Sequence, residues 1–362
     1  MSQARDFADS FSAVSTGRRN LIINGAMQVA QRGTSKTGIT TQGFYALDRA
    51  NTMVSSCGTY TVSQESDAPE GLVNSYKILT TTANSSPAAG GFVFLQTKFE
   101  GQDLQHLKYG TSNAVTTTLS FWVKSSETGT GVLGVQHNDN TASRFIRNYT
   151  INAADTWEYK TITVPGRTDG AIDDDNTPSI QLQWWLGSGS DFTGTDKTGE
   201  DWHTNTNPAR NNGGTLDIND VANRYWQITG IQWEVGNTAS PFEHRSYGEE
   251  LALCQRYFYA EDQSDTYHAI SNGFYSSTTN VITVKDLPIP MRAGPSLSVS
   301  GSWQAAGTNG IDASSLIIVD STGTDIQTVQ IRATVSGATA GQGTNLRNKN
   351  DATATFHLDA EL

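Results

Sequence analysis

The side chains best suited to touching a ligand are aromatic and amide groups on two strand-like runs. In SIQLQWWLG, alternation places Ile180, Leu182, Trp184 and Leu186 on one face and Gln181, Gln183 and Trp185 on the other. An indole stacks on the flat face of a sugar through C–H and dispersion contacts, while side-chain amides select among hydroxyls. Trp185 with Gln181 and Gln183, together with Trp202 in the stretch that follows, is therefore a candidate glycan site. In VTTTLSFWVK, Val115, Thr117, Leu119, Phe121 and Val123 share one face, and Trp122 on the opposite face is a second candidate. The same indoles also suit packing under a loop or against a neighbouring subunit. Trp184, Trp226 and Trp233 fall at core or junction positions.

Hydrolysis of a glycoside needs a pair of carboxylates, and a calcium site needs several hard oxygen donors. Asp173, Asp174 and Asp175 offer such donors for a structural calcium, although DDDN lacks the glycine and distal glutamate of an EF-hand loop. Asp191, Asp196, Glu200, Asp217 and Asp220 belong to no catalytic motif and read as solvated loop charge. The six histidines are scattered, and His137, His203 and His244 have no second ligand at i+2 or i+4 to make a zinc site. A nucleophile elbow, a phosphate loop and a dinucleotide fingerprint are all missing. The chemistry points to binding, not catalysis, with no cofactor beyond that calcium.

The elements that must position these groups are mostly strands. Short alternating runs are joined by turn residues, and the 34 glycines and many Thr, Ser and Asn residues favour an all-β class. Two antiparallel sheets packed face to face would bury both inward sets, giving a jelly-roll sandwich over 21–245. In RYWQITGIQWEVG the inward phase shifts from Trp226 and Ile228 to Ile231, Trp233 and Val235, which predicts a bulge at Gly230. Gly187 to Asp220 has turn residues throughout and reads as a long functional loop. Ser246 and Glu249 form a capping box that starts a linker helix over 246–258, with Tyr247, Leu251, Cys254 and Phe258 on one face. Strand-like runs from 259 to 362 predict a second sandwich, with Pro288, Pro290 and Pro295 confining one segment to an edge or bend. Residues 1–20 stand apart: Ala4, Phe7, Ala8 and Phe11 lie at helical spacing, a short stripe that needs a partner.

Composition narrows the partners. With 24 basic against 36 acidic residues the formal charge is -12, which repels a phosphate backbone, so no nucleic acid is expected. No apolar run is long enough to insert in a membrane and the first residues lack the hydrophobic centre of a secretory signal, so assembly in a cytoplasm is expected. Cys57 and Cys254 cannot build a disulfide framework and read as buried small side chains.

Four phrases carry a resemblance to a known family. They are NLIINGAMQVAQRGTS with FYALDRA, the run from Thr118 to Gly166, the junction from Tyr225 to Phe258, and LPIPMRAGPSLSV. In this order they resemble tail-fibre and other virion appendage proteins of bacteriophages that carry a carbohydrate-binding-module-like jelly roll. The family often has an aromatic residue where Ala50 stands here. The resemblance implies a non-enzymatic virion protein, most simply a tail fibre. Its N-terminal helix would dock onto the phage tail or an adaptor, its chains would form a homotrimer, and it would recognise a host surface glycan through the jelly roll or the C-terminal domain. A capsid-attached head fibre or decoration protein and a polysaccharide depolymerase are the alternatives.

Overall fold

The computed structural model describes residues 18–139, 142–194, 201–261, 265–307, 310–319 and 326–362. Ala4, Phe7, Ala8 and Phe11, the residues of the expected anchoring helix, lie outside the described residues. The chain divides between Glu250 and Leu251 into two compact units.

The first unit is built from strands β1 (Ser35–Ile39), β2 (Gly43–Phe44), β3 (Asn51–Ser55), β4 (Thr59–Glu65), β5 (Ser75–Thr82) and β6 (Phe92–Glu100). They continue as β7 (Thr117–Ser125), β8 (Gly129–His137), β9 (Ser143–Ile151), β10 (Glu158–Val164), β11 (Pro178–Ser188), β12 (His203–Thr204) and β13 (Tyr225–Val235). One sheet has the order β1-β4-β5-β13-β7-β10 and the other β12-β9-β8-β11-β6-β3-β2, with every pairing antiparallel. Alternation fills the space between them. Tyr60, Ile78, Leu119, Phe121, Val123 and Trp226 from the first sheet meet Leu95, Leu133, Phe145, Leu182 and Trp184 from the second in one core. This is the two-sheet sandwich that the alternating runs predict.

Strand β13 is the organising element. Its first half pairs with β5 from Tyr225 to Ile228, and from Trp226 to Val235 it runs along β7, with a register shift between Thr229 and Gln232. Gly230 in that shift has φ +60°, a left-handed conformation that costs glycine little and other residues more. The bulge keeps Trp226, Ile228, Ile231 and Trp233 all buried on the inner side. Val235, expected to continue this inward set, is 47% exposed because the strand leaves the core there.

Beyond Ile228, where β5 ends its pairing, the chain entering the unit takes over the free edge of β13. Leu21 N donates to Trp233 O at 2.9 Å and Ile231 N to Gly25 O at 3.0 Å. Asn20, 1% exposed, completes the junction. Its amide donates to Ile231 O at 3.0 Å, and its carbonyl accepts from Ile22 N at 2.9 Å and Trp233 N at 3.0 Å. The expected boundary of the leader at residue 20 therefore falls inside the sandwich.

A helix, α1 (Tyr247–Gln255), contains the division between the units. Ser246 Oγ accepts from Glu249 N at 3.3 Å and Glu249 Oε2 accepts from Ser246 N at 2.9 Å, the reciprocal cap foreseen from S-x-x-E. The helix ends at Gln255, and Phe258, expected on its face, opens a strand instead; Tyr247 is 55% exposed.

The second unit holds β14 (Phe258–Ala260), β15 (Ala269–Tyr275), β16 (Asn280–Asp286), β17 (Ser296–Ser300) and β18 (Trp303–Ala306). The remaining strands are β19 (Gly310–Ala313), β20 (Ser315–Ile318), β21 (Thr328–Thr334), β22 (Gly343–Asn348) and β23 (Thr355–Asp359). A sheet β14-β23-β17 and a sheet β19-β18-β22-β15-β16-β21-β20 share a core that includes Tyr275, Ile331, Leu346, Phe356 and Leu358. The three prolines at 288, 290 and 295 occupy the bend between β16 and β17, where no ladder N–H is missed.

Replacing Asn20 by Ala leaves two buried N–H groups and a carbonyl without partners. It is expected to lower the unfolding free energy of the first unit by about 2 to 4 kcal/mol in urea titrations.

Candidate functional site

The two outer faces of the first unit have opposite fates. On the second sheet, Trp185 is 1% exposed and stacks on Phe94 with ring centroids 4.5 Å apart, while Phe192 closes over it at 5.2 Å. Phe92, Ala209, Val132 and Ile146 complete this small outer core. Within the described part of the stretch from Gly187 to Asp220, Phe192 of the 3-10 turn Ser190–Phe192 and Ala209 cover the sheet, and strand β12 extends its edge by pairing with β9.

Gln181 and Gln183 are buried in the same layer and hydrogen-bond each other at 3.3 Å. Gln181 also accepts from Gln96 and donates to Asn138, and Gln183 accepts from Arg144 at 2.8 Å and from Trp185 Nε1 at 3.3 Å. Arg144, fully buried, takes its other partners from Gln136 and Asn205, all neutral oxygens, and burial followed by the charge of Arg210 pushes its pKa down. These amides are spent on the protein itself. The proposed sugar platform at Trp185, Gln181 and Gln183 is therefore sealed, since a stacking face must be reachable.

Trp202 does not join them. Its Nε1 donates to Pro165 O at 2.8 Å and its ring packs against the main core near Tyr109, His137 and Phe145, at centroid distances of 5.9, 6.4 and 6.2 Å. Burial, then the neighbouring Arg167, holds the His137 imidazole down at about 4, so it is neutral near pH 7.

On the first sheet the outward residues Gln227, Thr229, Gln232 and Glu234 of β13 are buried, but beside them Trp122 of β7 is only half-buried. Register brings Tyr159 of β10 directly opposite it on one side and Thr229 of β13 on the other. The Trp122 and Tyr159 rings lie 5.2 Å apart at 49°, and Tyr159 is 44% exposed. With Ser120, Gly230, Pro241 and Phe242 they line an open cleft of about 300 Å³. A Cβ built on Gly230 would stand 3.1 Å from Trp122 Cδ1 and 2.8 Å from Leu72 Cδ1, so the absent side chain is what lets the indole lie down on β13.

The turn that carries Phe242 is bolted to the same strand. Gln232, fully buried, accepts from Glu243 N at 2.8 Å and donates to Ser240 O at 3.2 Å, and Glu234 accepts from Ser240 N at 2.9 Å. Phe242 in turn meets His244 edge-on at 5.0 Å. Tyr159 and Phe242 escape a search of the sequence for tryptophans beside amides. The alternation of EYKTITV does put Tyr159 on the outward phase, whereas Phe242 belongs to a turn and has no periodicity to mark it.

Of the acidic residues, Asp175 accepts from Thr177 N and Oγ1, and Asp173 N donates to Asp139, so that DDDN forms a locally bonded turn. Among the described residues no group of three or more His, Cys, Asp or Glu side chains could hold a metal ion, and Asp173, Asp174 and Asp175 make none. Asp217 and Asp220 are not free loop charge: they cluster with Glu127 around Arg224, and burial raises the pKa of Asp217 and of Glu127. Cys254 is buried, and burial pushes the thiol of half-buried Cys57 up to about 12. Among the described residues no helix is long and apolar enough to cross a membrane.

No protein-family model and no curated protein sequence matches the chain. Among solved structures it is similar to the enzymatically active domain of tailspike protein 4 from bacteriophage CBA120, with 11% identity over 60% of this chain and a TM-score of 0.31. That match spans 21% of the tailspike chain. It is also similar to the family 11 carbohydrate-binding module of Clostridium thermocellum, solved with a mixed-linked tetrasaccharide, at 10% identity over 57% of this chain and 98% of that one, with a TM-score of 0.30. The CBM22-2 xylan-binding domain of Paenibacillus barcinonensis Xyn10C gives 12% identity, 51% and 91% coverage and a TM-score of 0.29. Likenesses of this degree do not define the architecture, which rests on the strand pairing above.

Gly230→Ala forces a left-handed alanine and pushes the Trp122 indole off β13. The expected result is a loss of about 1 to 3 kcal/mol of stability with a changed tryptophan emission spectrum, read by urea titration followed by fluorescence.

Proposed function

We propose that the protein is a glycan-binding, non-enzymatic component of a phage virion, acting through the cleft of Trp122, Tyr159 and Phe242. The observation that carries the reading is the aromatic cleft itself: three rings held by strand register and a pinned turn, left reachable on an otherwise well-packed sandwich. Aromatic walls supply dispersion against the apolar face of a sugar, and the exposed Thr161, opposite Ser120 in the register, supplies a hydroxyl that competes with water for its edges.

A tail fibre that recognises a host surface glycan is the simplest role for such a module, in keeping with the resemblance of its opening, junction and closing phrases to phage appendages. The leader before Arg18 would attach it to the tail or an adaptor. On the second unit Phe274, Val284, Ile317 and Val319 are exposed, and Phe274, Ile282, Arg332 and Ile317 line up across β15, β16, β21 and β20. A row of this kind, apolar on either side of the exposed Arg332, suits contact between the chains of a trimer.

Two measurements test the reading. Trp122→Ala is expected to lower affinity for host-cell polysaccharide at least about tenfold, roughly 1.4 kcal/mol, with a cooperative melting transition retained. Unchanged binding would remove the cleft from the account. Because Asn20 belongs to the sandwich, the leader is best deleted as residues 1–17. That truncated chain is expected to fold, bind glycan and fail to enter the particle, and normal incorporation would refute the anchoring role.

A further inference from the structure

The cleft is one end of a longer row. Two residues beyond Trp122 on the same face of β7 stands Lys124, whose ammonium lies 5.3 Å from the Trp157 ring centroid and 6.0 Å from that of Tyr225. Asp67 pins this second patch by accepting from Lys124 Nζ and, at 3.1 Å, from Trp157 Nε1. Although burial draws the Asp67 carboxyl upward, the hydrogen bonds from Lys124 and Trp157 hold its pKa below the usual carboxylate value. Tyr225 donates its hydroxyl to Asp155, and Lys77 Nζ rests 4.5 Å over the Tyr225 ring.

Register fixes the length of the row. Trp122 lies opposite Thr229 and Ser125 opposite Trp226, while Tyr225 exchanges backbone and hydroxyl bonds with Ser126. The row therefore runs from Ser120, at the Phe242 end, to Ser126. At about 3.4 Å per residue these six steps cover about 20 Å, room for roughly four pyranose units laid end to end. Along it Tyr159, Thr161, Asp67 and Asp155 are exposed and Trp157 and Tyr225 are half-buried, so rings at both ends are reachable, while Lys124 between them is buried.

The charges on this row are consumed within it. Lys124 is neutralised by Asp67, Asp155 is engaged by Tyr225, and Lys77 sits on an aromatic face. The whole chain carries a formal charge of -12, a field that opposes a polyanion.

Resting on the glycan reading of the Trp122 cleft, we infer that the ligand is an internal stretch of a linear, uncharged polysaccharide of about four units, seated on both aromatic patches, and not a terminal sugar. The first patch, Trp122 with Tyr159 and Phe242, grips one pair of units. The second, Trp157 with Tyr225, grips the next, and the Asp67 and Asp155 carboxylates accept from their hydroxyls.

Calorimetric titration of the full chain with linear oligosaccharides of two to six units tests this, using neutral glucan, xylan, mannan and galactan fragments beside alginate and polygalacturonate fragments at low salt. Affinity for a neutral series is expected to climb at least about tenfold from two units to four and then level off. Trp157→Ala should erase that climb while the disaccharide still binds, whereas Trp122→Ala should weaken every length. Trp157→Phe, which keeps a ring but loses the bond to Asp67, should retain most of the climb and shows that the effect is not unfolding, with melting temperatures taken on each variant. A disaccharide bound as tightly as a hexasaccharide, a Trp157→Ala chain with an unchanged length series, or tighter binding of the acidic fragments would overturn the inference and leave the Trp122 reading standing. Failure of every fragment to bind the parent chain would end both.

Discussion

At Gly230 the backbone of β13 turns left-handed, and the first unit is arranged around that residue. A bulge adds one residue to a strand, and without it Ile231 and Trp233 would point to the solvent side once Trp226 and Ile228 point inward. With it, both pairs enter one core, and the strand's far edge is handed from β5 to the entering segment at Asn20 and Gly25. The missing side chain also leaves the space into which the Trp122 indole lies. One conformational requirement thus sets the inner packing, the closure of the sheet edge and the floor of the aromatic cleft.

The contrast between the two outer faces explains why one can meet a ligand and the other cannot. Above the second sheet the loop after β11 lays Phe192 and Ala209 over Trp185, and the amides beneath bond one another and Arg144. Burial of so many polar groups is tolerable because the amides are paired with each other, and opening the layer to bind a sugar would break those bonds for little gain. Above the first sheet the loop between β4 and β5 brings Asn74 O to the Thr229 hydroxyl and Leu72 beside Gly230, but it leaves Trp122 half-buried and Tyr159 exposed. The turn at Pro241 and Phe242 comes to its rim and stops, held by Gln232 and Glu234, and so makes a wall where the other sheet has a roof.

Much of the architecture could be read from alternation. SIQLQWWLG and TLSFWVK place their apolar sets inward as the period of two requires, the phase change in RYWQITGIQWEVG marks the bulge, and S-x-x-E marks the start of α1. The candidate site was legible in part. Trp122 was visible as an outward indole, but Tyr159 becomes its partner through the β7–β10 register, and Phe242 through hydrogen bonds across a turn. Trp185, with the richest local composition, is the one that the fold conceals. Its amide neighbours look like sugar ligands in sequence because the groups that hydrogen-bond a hydroxyl also hydrogen-bond each other.

By itself the sequence determined the class of the fold, the inward residues of each strand, the need for a glycine at position 230 and the cap of the helix, since all of these follow from local periodicity and backbone sterics. Tertiary structure alone decided which outward face stays in water. Alternation separates two faces of a strand but says nothing about what lies over the outer one. That depends on where the connecting segments come to rest: Phe192 and Ala209, between β11 and β13, lie over Trp185, and the short turn at Pro241 and Phe242 lies to one side of Trp122.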